Sequence, residues 1–169
     1  MIEQIFTTFS AEKLEQLQSR IQDCLGKLTH EQIWMRNTDN ENAVGNLVLH
    51  LCGNVGQWIG TGVAGRPNTR QRDTEFAARN GSSAGELSAK LSAVVSDAAA
   101  AIRDLTPEKL RERRNIQKYD VTVFEAVYHV VEHFAQHTGQ IQFATKLMTG
   151  ADLGYYSHLS QKAHAEQVP

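Results

Sequence analysis

Between Asn42 and Gly65 the chain carries no Asp, Glu, Lys or Arg, and this limits what the chain can fold into. A surface helix normally shows charge on its outward face. An uncharged segment of this length is either enclosed by other elements or spans a bilayer, which takes about 20 residues. Asn46, His50, Asn54 and Gln57 decide against the bilayer, because unpaired polar groups in lipid are costly. The glycines at 45, 53, 56 and 60 let a neighbouring helix come close. A buried helix is therefore expected. At about 100° per residue, Asn46, His50 and Asn54 form a ladder with Gln57 beside it. Val44, Leu47, Val48, Leu51, Val55 and Trp58 take the other flank. Such a polar strip either bonds to neighbouring backbone or lines an interior cavity.

Three further histidines, His129, His133 and His137, recur at four-residue steps in an apolar run with no helix breaker before Gly139. Thr122-Val123-Phe124-Glu125 is a capping box that opens this helix, and Gly150 should end it. Its buried stripe is Val123, Val127, Val130, Phe134, Ile141 and Met148. His137 falls inside the stripe and His133 on its flank, while His129 turns toward the polar side with Glu125 and Gln136. His133 and His137 are either hydrogen-bonded core residues or a metal pair, for which His50 is the natural third ligand. His129 faces solvent or stands behind the ligands.

The remaining chain reads as helices. Residues 2–28 carry an apolar stripe, Thr29-His30-Glu31-Gln32 caps a short turn through Trp34, and residues 36–40 are a polar loop. Residues 66–80 form the longest loop, either an exposed salt-bridged segment or an anion-recruiting lid beside the cavity. Ser83 with Glu86 caps a helix over 84–105, and Thr106-Pro107 restarts one. The basic run Lys109, Arg111, Arg113, Arg114 and Lys118 lacks interleaved aromatics and reads as solvated surface. Gly60-Thr61-Gly62-Val63-Ala64-Gly65 matches a dinucleotide fingerprint but follows a helix, so it reads as a glycine-rich helix end. Gly81-Ser82-Ser83-Ala84-Gly85 matches a hydrolase elbow without the strands that fold needs.

With 169 residues and a net charge of −2, the expectation is one all-α domain over 1–169, with 161–169 a flexible tail. The charge gives no pull toward nucleic acid or membrane. Cys24 and Cys52 form neither a disulfide framework nor a Cys-x-x-Cys site, and no secretory leader is apparent. A cytoplasmic location is expected.

Asn46-Leu47-Val48-Leu49-His50-Leu51, Glu132-His133-Phe134-Ala135-Gln136-His137-Thr138-Gly139-Gln140-Ile141 and Asp152-Leu153-Gly154-Tyr155-Tyr156 together resemble the DinB-like superfamily of metal-binding four-helix bundles. The resemblance spans nearly the whole chain. It implies a four-helix bundle with short additional helices and a C-terminal extension. It also implies a divalent metal, zinc or nickel, on His50, His133 and His137, and a homodimer. Relatives that act on small molecules include thiol-dependent transferases and hydrolases.

Three neutral imidazoles leave a divalent ion its full charge and an open position. A thiol there would lose its proton, and a water would favour hydrolysis. The expected function is a metal-dependent thiol S-transferase using a low-molecular-weight thiol and a small-molecule substrate. The alternatives are a metal hydrolase and a non-catalytic metal-binding bundle. Asn54, Gln57, His129 and Gln140 are expected to orient ligands or substrate from behind the metal. Cys52 lies about 160° round the wheel from His50 and is not expected to ligate. Glu132 points about 100° from its neighbour His133 and makes no evident general base.

Overall fold

A computed structural model describes residues 1–159, apart from the side chain of His158; the tail expected at 161–169 lies outside the described residues. Four long helical segments carry the architecture: α1 (Ile2–Lys27), α3 (Val44–Val55) continued by a π-helical segment (Gly56–Val63), α5 (Ala84–Arg103) and α7 (Val123–Thr149). Three short helices connect them: α2 (His30–Trp34), α4 (Arg72–Ala77) and α6 (Pro107–Arg111). The expected all-α bundle is thus present, with one small exception. The basic run folds into an antiparallel hairpin of β1 (Arg113–Ile116) and β2 (Tyr119–Thr122). Gln117 and Lys118 turn it with positive φ of 53° and 71°.

The sequence signals for helix ends hold. Thr29, Ser83 and Thr122 each accept from the backbone three residues on, and the Gln or Glu there reaches back. Each such cap stabilises its helix by about 1 kcal/mol. Gly150 ends α7 in the left-handed conformation, φ 67°, which glycine adopts without a Cβ clash.

In the bundle α1 packs on α5 and α7, and α3 packs on α5 and α7. Chain neighbours α1 and α3 therefore sit diagonally, as do α5 and α7. This places the uncharged helix against the histidine helix. Fully buried Leu14, Ile21, Leu51, Leu91, Ile102 and Phe134 form the centre of the core, each burial favouring the fold by about 1.5–3 kcal/mol. Most of α3 is buried, as its lack of charge requires. No described helix is long and apolar enough to cross a membrane.

The 66–80 segment differs from a wholly exposed loop. It contains α4, and Asn46 fastens it to α3: its Nδ2 donates to the carbonyls of Glu75 and Ala78, both at 2.8 Å. Arg36 donates to the Phe76 carbonyl at 2.9 Å and to Asn46 Oδ1. An exposed pair does occur at Arg66–Asp97, but Arg70 and Glu75 pair in the interior, with 4% and 8% of their side chains exposed.

Candidate metal centre

His50 on α3 and His133 and His137 on α7 meet where the two helices pack. His133 Nε2 lies 3.2 Å from His50 Nε2 and 3.2 Å from His137 Nε2. One ligand nitrogen from each of the three falls within 4.8 Å of the others, an arrangement that can hold a metal ion. Two nitrogens at zinc-like bond lengths of about 2.0–2.1 Å in a tetrahedron stand about 3.3 Å apart. The observed spacing fits that edge.

Hydrogen bonds on the far side of two rings decide which nitrogen faces inward. His50 Nδ1 is 3.1 Å from Glu75 Oε2, and a carboxylate can only accept, so the proton sits on Nδ1. Arg70 Nη2, at 3.2 Å from the same nitrogen, has only protons to offer, and its position follows from its grip on Glu75. That grip is two-pronged: Arg70 Nε donates to Oε1 at 2.7 Å and Nη2 to Oε2 at 2.8 Å. Arg70 Nη1 donates to Gln57 Oε1 at 2.9 Å, and Gln117 on the hairpin donates to the same oxygen. His137 Nδ1 donates to Gln140 Oε1 at 2.6 Å. Both Nε2 lone pairs therefore point toward His133. Carboxylate or amide acceptors behind ligand imidazoles set the tautomer and raise basicity in this way.

Those lone pairs are met either by an N–H on His133 Nε2 or by a cation between the three nitrogens. The electrostatics suit a cation. Burial, then the neighbouring charges of His137, His50, His129 and Arg70, push His133 down to about 3. Burial also lowers His50, against the pull of Glu75. Both rings are neutral bases at pH 7, the form that ligates. Two buried polar atoms beside the cluster, His133 Nδ1 and Asn54 Oδ1, have no hydrogen-bond partner. The residues present thus fit a divalent ion.

Next to the cluster is an open cavity of about 530 Å³, within the usual ligand-pocket range of about 300–1,000 Å³. His50, His133, Asn54 and Trp58 line its interior. Arg72, Gln117 and Tyr119 line it from exposed positions.

The second-ring candidates divide. Gln140 holds His137, and Gln57 holds Arg70 rather than a histidine. Asn54 lines the cavity. His129 is half-buried, its ring centroid 4.1 Å from that of Trp58 and 5.6 Å from that of His133, so it forms an aromatic wall rather than a solvent-facing surface. Cys52 is buried, with its thiol pushed up to about 12 by desolvation, and it is not part of the histidine cluster.

Sequence reasoning missed two contributors. Glu75 was one charge among several in a long loop, although the uncharged helix beside it had no counter-ion of its own. Trp58 was placed on the apolar flank. The helix winds as a π-helix from Gly56, with Ala64 N–H donating to Ile59 O at 2.8 Å. Trp58 nevertheless follows Asn54 by four residues, so it continues the His50–Asn54 ladder and shares its face.

The helical bundle and the histidine cluster are the fold and the residues that the DinB-like resemblance of the sequence implied. The chain belongs to the DUF1572 family, described as a protein of unknown function, whose model matches residues 2–160. It is similar in fold to the crystal structure of a conserved protein from Enterococcus faecalis, with a TM-score of 0.74 and 16% identity over 86% of this chain and 98% of that one. A DinB-like protein from Bacillus subtilis, YjoA, is similar with a TM-score of 0.65 and 15% identity over 87% of this chain and 96% of that one. No functionally curated protein matches the chain.

Proposed function

We propose that the protein is a divalent-metal-dependent enzyme whose centre is His50, His133 and His137 and whose chemistry is thiol S-transfer. The convergence of three Nε2 atoms beside an open cavity carries this reading. A divalent zinc or nickel ion held there would supply a Lewis-acidic position at which a low-molecular-weight thiol loses its proton at neutral pH. Glu75 and Gln140 keep the inward nitrogens of His50 and His137 unprotonated. Trp58 and His129 wall the cavity beside the cluster.

Two carboxylates near the centre are committed elsewhere, which favours a thiol over the hydrolytic alternative. Glu75 is held by Arg70 and His50, and Glu125 accepts from the Thr122 backbone and hydroxyl at 2.7 and 2.8 Å. Neither is free to take a proton from water.

Elemental analysis of the purified protein beside His50→Ala and His137→Ala tests the centre; equal metal content in all three removes it. Incubating the metal-loaded protein with a low-molecular-weight thiol and an electrophile tests the chemistry. Thiol should be consumed, and ester or amide turnover without thiol would instead establish the hydrolase. A homodimer belongs to this reading, supported by exposed Ile2, Ile5 and Phe9 on α1 and Phe124 and Tyr128 on α7. Phe6 stacks on Phe124 at 4.0 Å and joins the two rows. Sedimentation analysis reads the state directly.

A further inference from the structure

The cavity beside the histidines has an uneven supply of partners. Among its charged lining residues, Arg70 is neutralised by Glu75, and the carboxylate of Glu125 is used by the α7 cap. Arg72 differs. Its guanidinium lies 4.9 Å over the Phe76 ring, and that ring tilts over His50 at 4.8 Å. No hydrogen bond or ion pair holds its five donors among the described residues. The cation–π contact with Phe76 uses none of these donors and leaves them for an oxygen pair.

Deeper in, two polar groups that line the same cavity are buried and unpartnered. Asn54, 4% exposed, has an unpaired acceptor at Oδ1. Trp58, 3% exposed, has an unpaired donor at Nε1. Leaving a buried polar group unpaired costs about 1–3 kcal/mol, which a ligand able to pair it would recover. Trp58 and His129, their rings tilted against each other with centroids 4.1 Å apart, give the same cavity an aromatic wall.

We infer that this cavity takes a small organic oxyanion, a carboxylate or phosphate on a short apolar stem. Arg72 receives the anionic end, and Asn54 and Trp58 receive a polar group at the other. The inference rests on the reading of this cavity as the substrate site and names the class of molecule that fits it. It also gives the 66–80 segment a specific anion-recruiting residue.

The two indole N–H signals in a ¹H–¹⁵N spectrum make a test with an internal control. Trp34 Nε1 donates to the Ser82 carbonyl at 3.1 Å and does not line the cavity, whereas Trp58 Nε1 has no partner. The zinc-loaded protein is titrated with phenylacetate, phenyl phosphate and neutral phenylacetamide. The anions should move the Trp58 signal at concentrations that leave Trp34 in place, and the neutral amide should bind about tenfold more weakly. The preferred anion separates carboxylate from phosphate substrates. Arg72→Gln should remove the preference, and Arg72→Lys should keep part of it.

A Trp58 signal that ignores both anions, or responds equally to the amide, overturns the inference. So does a preference that survives in Arg72→Gln, since the metal ion alone would then hold the anion. Thiol consumption without anion binding sinks this inference alone. Anion binding without thiol consumption sinks the thiol reading alone.

Discussion

Glu75 occupies the space that a side chain at Gly53 would need. A Cβ on Gly53 would stand 1.9 Å from Glu75 Oε1 and 2.9 Å from Arg70 Nε, both far inside contact distance. A missing methyl group on α3 is therefore what lets a buried ion pair from another segment reach His50.

Gly53→Ala should push Glu75 off His50 and loosen metal binding by about 10–100-fold, the usual effect of losing a ligand's supporting partner. Gly56, one turn on, has its nearest neighbour at 3.7 Å and a helical conformation. Gly56→Ala should leave metal affinity unchanged and stabilise the fold by up to about 1 kcal/mol. Metal competition titrations on the two variants make the comparison. Equal affinity in both would remove Gly53 from the site.

Glu75→Gln keeps the shape and deletes the charge. Arg70 is then buried without its counter-ion, at a cost of about 3–5 kcal/mol. Urea unfolding of the metal-free protein reads this loss. Adding Arg70→Met should restore most of the stability without restoring metal affinity, because His50 Nδ1 still lacks its carboxylate. Recovery of both would show that the pair serves packing only.

The metal-free protein should weaken as the pH falls. His133 takes a proton near the ordinary histidine value of 6.5 when unfolded but only at about 3 when folded. Between those values the unfolded chain binds more protons, so stability declines from about 6.5 downward and the loss levels off near 3. Denaturant midpoints at pH 7 and 5 should differ in the parent chain, and the difference should narrow in His133→Asn, with buried His50 and His129 supplying the remainder. Bound metal should steepen the decline, since protons compete for the same nitrogens.

Lys118, at φ 71° in the hairpin turn, carries backbone strain without lining the cavity. Lys118→Gly should raise stability by about 1 kcal/mol and leave metal binding alone. Gln117→Gly should relieve similar strain yet release Gln57, the partner of Arg70. Thermal unfolding and metal affinity together separate the two; parallel behaviour would deny Gln117 any link to the site.

Much of the bundle was legible in local chemistry. Capping boxes at Thr29, Ser83 and Thr122 marked helix starts because those bonds form within four residues. The missing charge between Asn42 and Gly65 announced burial because no solvent-facing helix can do without it. His133 and His137 could be paired from their four-residue step together with the apolar stripe, which set His129 aside despite its equal spacing. Local reasoning failed elsewhere. Trp58 was assigned to the apolar flank because indole is mostly apolar, although it follows Asn54 by four residues, and the basic run hid a hairpin. Arg113 there bonds Asp120 across the strands.

By itself, then, the sequence determined the four long helices, which of them is enclosed and which histidines sit on or beside the buried stripe of α7, because these follow from short-range periodicity and hydrogen bonding. Only the tertiary structure decided that α3 lies against α7, that Glu75 and Arg70 enter through the notch at Gly53, and that Arg72 stands unpaired beside the same cavity. Those relations join residues far apart in the chain. Packing and the pairing of buried charge select them, and no local pattern encodes either.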